Sequence, residues 1–431
     1  LARARQLARE RRSGMPGAEE RLVTILDALE PDDAAQVVRA LTLYFDLANL
    51  AEELKRIRTL RRRAAVAGPD CGEETIYEAI GTLKQHGMQP AEMQRLLDTL
   101  RIEPVFTAHP SEAKRRTTRV VLRRLRNTLG QTEPDDEPVL NPDIRRAIRA
   151  DLTALWHSDL LRPSRPSVQS EIDRGLFFAS TLWAVVPQTV RRIRQALTAH
   201  YPDARFEVPP PLRFGTWIGG DRDGHPFVTA DVTREALDVM RDTAIDGYLD
   251  QCHSLMGVLV MSDRQAEGLI RLQKAIEEAV ERTPDLAESL SDVSESEAAR
   301  RWLKVIEYRL LATLNHEEES AYIRGDELEH DVALLAEALT ECRCDDLVQM
   351  YLQPWLDTVK TFGLNLASMD IRQHSRVHES VVAQLLDQNG ICSNYSELDD
   401  AARIDVLTSS LDGSLDLSGD DASEDLTESL K

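Results

Sequence analysis

The chain has 431 residues, of which 42% are hydrophobic and 29% charged, a composition typical of a globular protein with a large core. Its net charge of −22 argues against general binding to nucleic-acid backbones, which requires a basic surface. The sequence shows no apolar run of membrane-spanning length and no signal-peptide pattern at its charged start. The cysteines have no zinc-ligand spacing, so we expect reduced thiols in a cytoplasmic protein: Cys71, Cys252, Cys342, Cys344 and Cys392.

Most of the chain has the three- and four-residue spacing of apolar side chains that predicts amphipathic helices. The first stretch covers residues 21–60 and is interrupted near Pro31. Asn141 followed by Pro142 predicts a helix start, because asparagine caps free amide groups and proline fits the first turn. Further helices are expected over residues 229–259, 265–281, 295–314, 326–339 and 345–362.

Three short segments interrupt this helical pattern, at residues 104–107, 212–218 and 364–369. Each has the length of a strand and runs into a polar segment, and long helical stretches separate them. Parallel α/β folds carry their reactive groups at the carboxyl ends of the strands. The predicted fold is therefore mostly α, with part of an α/β (TIM-like) barrel, three candidate barrel strands and extensive helical elaboration.

The first segment runs into His109 and Pro110. Histidine titrates near neutral pH and suits proton transfer, and the proline disfavours a helical backbone at His109. A basic stretch follows, in which Arg116, Arg119 and Arg123 would share one helix face, so that a small-anion site is one interpretation. A buried structural histidine before an exposed basic helix explains the same pattern, and both interpretations stay open.

The second segment runs through Trp217 into residues 219–224, Gly-Gly-Asp-Arg-Asp-Gly. Paired glycines allow the backbone to approach a ligand or another element closely. Arg222 between two carboxylates is either a cation held near a substrate or part of an internally paired turn. Asp-x-Asp-Gly also opens a calcium loop, but the further ligands of such a loop are missing from the sequence.

The third segment runs into Asp370 and Arg372. An arginine just past a strand end can bind a phosphate or a carboxylate through two parallel hydrogen bonds, and Asp370 could orient it. A structural ion pair at a strand–helix junction is the alternative interpretation.

Taken together, these segments resemble phosphoenolpyruvate carboxylase. The resemblance rests on residues 106–112, 217–224 and 369–373, in the order of the family, and on residues 43–52 and 156–162. Departures from the usual family residues are modest and fall at Ser111, Asp173, His225 and His374. The resemblance implies that residues 1–431 are the N-terminal half of a single domain. Residues 412–431 are acidic and rich in serine, and we expect a flexible segment there.

The resemblance also implies an activity and roles for residues of this chain. The enzyme would be a cytoplasmic carboxy-lyase that forms oxaloacetate and phosphate from phosphoenolpyruvate and bicarbonate, feeding the tricarboxylic acid cycle. By this resemblance, His109 would be the general base and Arg372 would bind the substrate phosphate. Trp217, Arg222 and Asp223 would form the wall of the site beside the phosphate. Arg115 and Arg116 would bind a sugar-phosphate activator.

Further implications concern parts beyond this chain. Mg²⁺ or Mn²⁺ would be the cofactor, and its ligands would lie in the missing C-terminal half. An aspartate or malate inhibitor site would lie there too. The full-length protein would be a homotetramer without nucleic-acid or membrane partners, and the 431-residue chain alone is expected to be inactive. Two alternatives remain, an inactive fragment or scaffold that binds a small anion, and another barrel lyase that uses phosphoenolpyruvate or a sugar phosphate.

Overall fold

The computed structural model describes residues 2–67, 75–107, 115–130, 141–159, 168–169, 172, 178–223, 227–263 and 269–411. Two compact units divide the chain: Leu1–Glu73 with His109–Arg165, and Glu74–Ala108 with Pro166–Lys431. The single domain expected over residues 1–431 stays a prediction, and residues 412–431 lie outside the described ranges. Across those ranges, no helix combines the length and apolar character needed to cross a bilayer.

The described residues are mostly helical. The first part of the chain forms, in order, α1 (Ala2–Arg12), α2 (Ala18–Asp27), α3 (Pro31–Ala67), α4 (Ile76–Gln85), α5 (Pro90–Thr99), β1 (Val105–Phe106), α6 (Arg116–Gly130), α7 (Pro142–Trp156) and α8 (Ala179–His200). The remainder forms β2 (Gly215–Thr216), α9 (Ala230–Met256), α10 (Ile270–Arg282), α11 (Leu286–Ser289), α12 (Ala298–Leu314), α13 (Gly325–Glu341), α14 (Asp345–Leu347), α15 (Gln353–Phe362), β3 (Ser368–Met369), α16 (Ser375–Gln388) and α17 (Asp400–Ser410).

The first unit is built around the contacts of α3, α6 and α7. Its apolar core contains Leu50 and Leu54 of α3 and the fully buried Leu125 of α6. The predicted helix boundaries are confirmed: α3 begins at Pro31, and the Asn141 side chain accepts a hydrogen bond from the Asp143 amide at the start of α7.

The core of the second unit joins α9, α10, α12, α13 and α15, whose apolar faces pack against one another. Burial of these faces is the main favourable contribution to folding, at about 25 cal/mol per Å² of apolar surface. Tyr248 and Trp355 are the largest fully buried side chains of this cluster.

The helices predicted in this unit are confirmed as α9, α10, α12, α13 and the stretch from α14 to α15, although residues 264–268 lie outside the described ranges. Between α14 and α15, residues Val348–Leu352 form a π-helical turn just before Pro354. Proline has no amide hydrogen to donate and crowds the preceding turn, and the wider turn relieves this conflict.

The strands form one parallel sheet in the order β1-β2-β3. All three strand predictions are confirmed in position, but the regular strands are shorter than the predicted segments. In the third segment the reason is local: Gly363 and Leu366 have φ angles of 54° and 60°, which interrupt the extended backbone before β3. Two isolated backbone pairings extend the alignment beyond the strands. Ile102 pairs with Leu212 before β1 and β2, and Asp221 pairs with Arg372 after β2 and β3.

Candidate active site

The carboxyl ends of the three strands lie side by side, as the sequence predicted. Parallel pairing aligns Phe106 with Thr216 and Thr216 with Met369, the last residues of their strands. The polar segments that follow β2 and β3 therefore leave the sheet at one edge, where ligands bind in parallel α/β folds. Backbone hydrogen bonds extend this alignment, because the Asp370 amide donates to the Thr216 carbonyl at 2.9 Å.

The paired glycines after β2 are required by close backbone packing. Gly219 has a φ of 85°, and a Cβ atom there would lie 2.5 Å from the Cβ of Ala236. A Cβ atom on Gly220 would lie 2.6 Å from the Asp370 carbonyl oxygen. Both distances are below any real contact, so only glycine lets this segment lie against β3 and α9. The packing fixes the position of the side chains that flank the glycines.

Trp217 and Arg372 form the centre of the site. The guanidinium carbon of Arg372 lies 4.1 Å from the centre of the Trp217 ring, a cation–π contact. The indole nitrogen of Trp217 donates to Oδ2 of Asp370 at 3.2 Å. The sequence suggested that Asp370 could orient Arg372, and in the structure its carboxylate binds the indole ring that the arginine lies over. Its effect on Arg372 therefore acts through the tryptophan ring.

The carboxylate beside Arg372 belongs to Asp221, whose Oδ2 lies 3.7 Å from Nη1 of the arginine. Two backbone hydrogen bonds lock the same segments together, from the Arg222 amide to the Arg372 carbonyl at 2.8 Å and from the Arg372 amide to the Gly220 carbonyl at 2.9 Å. The Arg372 side chain remains 41% exposed, so part of its planar fork faces solvent. This geometry suits a phosphate or carboxylate ligand.

Arg222 points toward the start of α9. Its Nη2 donates to the Thr233 hydroxyl at 3.4 Å, and that hydroxyl donates to the Gly219 carbonyl at 2.8 Å. The backbone amide of Asp223 donates to Oδ1 of Asp221 at 3.3 Å. Arg222 and Asp223 thus belong to the same tight turn as Asp221.

Two residues of this site were missed in the sequence. The pairing of Asp221 with Arg372 depends on the alignment of β2 with β3, and no local sequence pattern predicts it. Thr233 had a weak signal, since it lies one helical turn after the capping residue Thr229 and its hydroxyl also contacts the Thr229 carbonyl at 3.1 Å.

The remaining predicted site residues belong to the first unit. His109 lies outside the described residues, together with Pro110, Ser111 and Lys114, and of Arg116 only the helical backbone is described. Arg115 is described: its Nη1 lies 3.6 Å from Oδ2 of Asp159, and its side chain is 37% exposed. The helix expected after it is confirmed as α6.

The described residues offer no group of three or more His, Cys, Asp or Glu side chains arranged to hold a metal ion. Mg²⁺ and Mn²⁺ prefer several oxygen ligands.

Comparison with known proteins agrees with the resemblance seen in the sequence. The family model described as phosphoenolpyruvate carboxylase matches residues 1–431. Phosphoenolpyruvate carboxylase of Roseiflexus castenholzii is 32% identical over 423 residues, which cover 95% of this chain and 45% of the relative. The enzyme of the same name from Azoarcus sp. is 34% identical over 431 residues, covering 95% of this chain and 46% of the relative. The chain thus spans about half the length of these relatives, and it belongs to the phosphoenolpyruvate carboxylase family.

Proposed function

We propose that this chain provides the phosphate-binding part of a phosphoenolpyruvate carboxylase, which forms oxaloacetate and phosphate from phosphoenolpyruvate and bicarbonate. The observation that carries the proposal is the Arg372 guanidinium, stacked on Trp217 and flanked by Asp221 at the carboxyl edge of the sheet. Family membership supports the choice of substrate. A partly exposed planar cation at a strand end is the group that a substrate phosphate requires.

The reaction consists of two transfers. A bicarbonate oxygen attacks the phosphorus of phosphoenolpyruvate, the bond from phosphorus to the enol oxygen breaks, and carboxyphosphate and the enolate of pyruvate result. His109 takes the carboxyl proton of carboxyphosphate, so that carbon dioxide and phosphate separate. The enolate carbon then attacks carbon dioxide and forms oxaloacetate. Arg372 holds the phosphate throughout, and this keeps the reacting groups in place.

Two further groups of residues complete the proposal. Trp217, Arg222 and Asp223 form the wall beside the phosphate, supported by the tight turn that Arg222 and Asp223 share with Asp221. Arg115 and Arg116 bind a sugar-phosphate activator. The support for Arg115 is its partly exposed guanidinium, which lies 3.6 Å from Asp159.

The wider features follow from the family. The parallel sheet is part of a TIM-like barrel, whose further strands lie beyond the described residues. Mg²⁺ or Mn²⁺ is bound by carboxylates outside the described part of this chain and stabilises negative charge on the reacting oxygens. An aspartate or malate inhibitor, a homotetramer and a cytoplasmic location are part of the same proposal.

The test uses the product of the complete gene with His109→Asn. We expect oxaloacetate formation to fall by about 100-fold or more, because a positioned base contributes roughly 10²- to 10⁴-fold, while phosphoenolpyruvate binding stays close to wild type. His330→Asn is the matched control, since His330 is an exposed helix residue. An undiminished rate in His109→Asn contradicts the role of the histidine. Oxaloacetate formation without bicarbonate consumption contradicts the reaction itself.

A further inference from the structure

A second cavity lies in the same unit, on the side where β2 and β3 begin. Its volume is about 860 Å³, within the range of small-molecule sites. It is bounded by the segments before β2 and β3, by α9 and by the amino-terminal end of α13. Trp217, Asp221 and Arg372 do not line it, so this cleft is separate from the candidate active site.

The wall of the cleft is built by close packing. Gly325, the first residue of α13, lies against Gly363, and a Cβ atom on Gly325 would be 3.0 Å from the Gly363 Cα. The hydroxyl of the fully buried Tyr248 donates to the Gly363 carbonyl at 2.6 Å. Leu366, in the same wall, is 1% exposed although its φ of 60° is unfavourable for leucine. A backbone held by such contacts forms the cleft before any ligand arrives.

Four cationic side chains line this cleft: Arg213, Arg241, Arg324 and Lys360. Three of them have carboxylate neighbours. Arg324 lies 2.8 Å from Asp326, and Lys360 lies 3.3 Å from Glu329. Arg241 lies 3.4 Å from Asp242 and 3.7 Å from Asp238.

Two of the cations are incompletely satisfied. Within the ranges that the structure describes, the Arg213 guanidinium has no hydrogen bond or ion pair. The Nε of Arg241 is buried and has no hydrogen-bond acceptor among the same residues. The other end of Arg241 contacts His316 at 2.9 Å, which fixes the side chain in place.

The cleft also offers a helix terminus and apolar walls. α13 begins in it without a side-chain cap, so its first amide groups and its dipole add positive potential. Leu237, Val359 and Phe362 supply apolar surface next to the cations. Three carboxylates, Asp238, Asp326 and Glu329, line the same cavity, so its four cations exceed its anions by one, which favours a negatively charged occupant.

We propose that this cleft binds a small organic anion that carries phosphate or carboxylate groups, with Arg213 and Arg241 as its main contacts. The proposal is independent of the proposed function, because none of its contact residues takes part in the candidate active site. Ser368 and Met369 of β3 line the cleft. The chain continues directly from β3 to Asp370 and Arg372 of the candidate active site.

The test measures binding of two probes to the complete gene product by calorimetry, pyrophosphate for the phosphate arm and citrate for the carboxylate arm. Hydrogen exchange then locates the site. We expect a Kd below about 1 mM for one probe or both, with slower exchange at residues 324–329 and 363–369. Arg213→Gln should weaken binding ~10- to 100-fold, as expected for a lost charge-assisted hydrogen bond. Arg324→Gln should weaken it by a smaller factor.

Two control variants separate this cleft from other anion sites. Arg205→Gln changes an exposed arginine outside the cleft, and Arg372→Gln changes the candidate active site. Arg205→Gln should bind the probe as the wild type does, and Arg372→Gln should keep the slower exchange at residues 324–329 and 363–369 when the probe is added. The proposal is overturned if neither probe binds, if Arg213→Gln binds as tightly as wild type with an unchanged melting temperature, or if Arg372→Gln abolishes binding.

Discussion

The guanidinium of Arg372 lies over the indole ring of Trp217, with 4.1 Å between the guanidinium carbon and the ring centre. The two residues follow different strands, and the parallel pairing of β2 with β3 brings them together. Asp370 holds the ring through its indole nitrogen, and Asp221 lies beside the cation. The arginine therefore has a fixed plane and a defined direction toward solvent, which is what bidentate binding of a phosphate needs.

Replacing Trp217 should weaken phosphoenolpyruvate binding without unfolding the protein. In Trp217→Leu the cation–π contact is lost, and a loss of about 0.5–2 kcal/mol corresponds to a roughly 2- to 30-fold rise in KM. Trp217→Phe keeps an aromatic face but loses the hydrogen bond to Asp370, so its KM should fall between those of wild type and Trp217→Leu. Steady-state kinetics of the complete gene product measures both. Equal KM values in all three proteins contradict the role of the ring.

Gly220→Ala should disrupt the site through the backbone. The new Cβ would lie 2.6 Å from the Asp370 carbonyl oxygen, so β2 and β3 must separate locally. We expect a loss of roughly 1–3 kcal/mol in unfolding free energy, measured by urea denaturation, and weaker phosphoenolpyruvate binding. Gly257→Ala is the matched control, because its nearest contact would be an ordinary 3.4 Å and its φ is −79°. A Gly220→Ala protein as stable as this control would show that the close packing is not required.

A buried ion network in the second unit should be important for stability. Asp331 is 6% exposed, and its carboxylate accepts hydrogen bonds from Arg309 at 2.7 Å and from the Tyr322 hydroxyl at 2.8 Å. Asp331→Ala leaves the arginine without this partner and should cost about 3–5 kcal/mol in unfolding free energy. Glu337→Ala removes an exposed contact with Arg271 and should cost about 1 kcal/mol or less. Equal denaturation midpoints for the two variants would contradict the proposed importance of the buried network.

One face of α9 carries Asp242, Asp246 and Asp250 at four-residue spacing. Partial burial, followed by the charges of Asp242 and Asp250, raises the pKa of Asp246 above its usual 3.8. A raised pKa in the folded state means that the contribution of Asp246 to stability is fully present below pH 3.8 and is lost as pH rises through the folded pKa. Asp246→Asn should therefore raise the melting temperature at neutral pH.

The pH dependence of this difference is the control. At a pH below 3.8 the aspartic acid is neutral in both folded and unfolded chains, so the advantage of Asp246→Asn should shrink toward zero. A melting temperature that is lower than wild type at neutral pH, or an advantage that grows in acid, contradicts the raised pKa.

Local patterns were sufficient to predict the elements and the strand ends. The Asn141 cap, the helix break at Pro31 and the three strand positions were all confirmed, because capping, proline geometry and hydrophobic spacing act within a few residues. Arg372 was singled out for the same reason, since it follows a predicted strand, whereas the role of Trp217 was implied by the resemblance to the family.

Contacts between distant segments could not be predicted. The expected link from Asp370 to Arg372 proved to be a link from Asp370 to Trp217, and the carboxylate beside Arg372 comes from Asp221. Both depend on the register of β2 and β3, which the sequence of either strand alone does not determine. The late start of the third strand depends on the φ angle of Leu366, a residue that rarely adopts such a backbone.

The most direct test of the account compares Arg372→Gln with Arg376→Gln in the complete gene product. Arg376 is a nearby exposed arginine in the first turn of α16, outside the site. Steady-state oxaloacetate formation should show kcat/KM for phosphoenolpyruvate reduced by about 10- to 100-fold or more in Arg372→Gln, because a charge-assisted bond to the phosphate is lost. Arg376→Gln should behave as wild type. Wild-type kcat/KM in Arg372→Gln would contradict the assignment of Arg372 as the phosphate ligand.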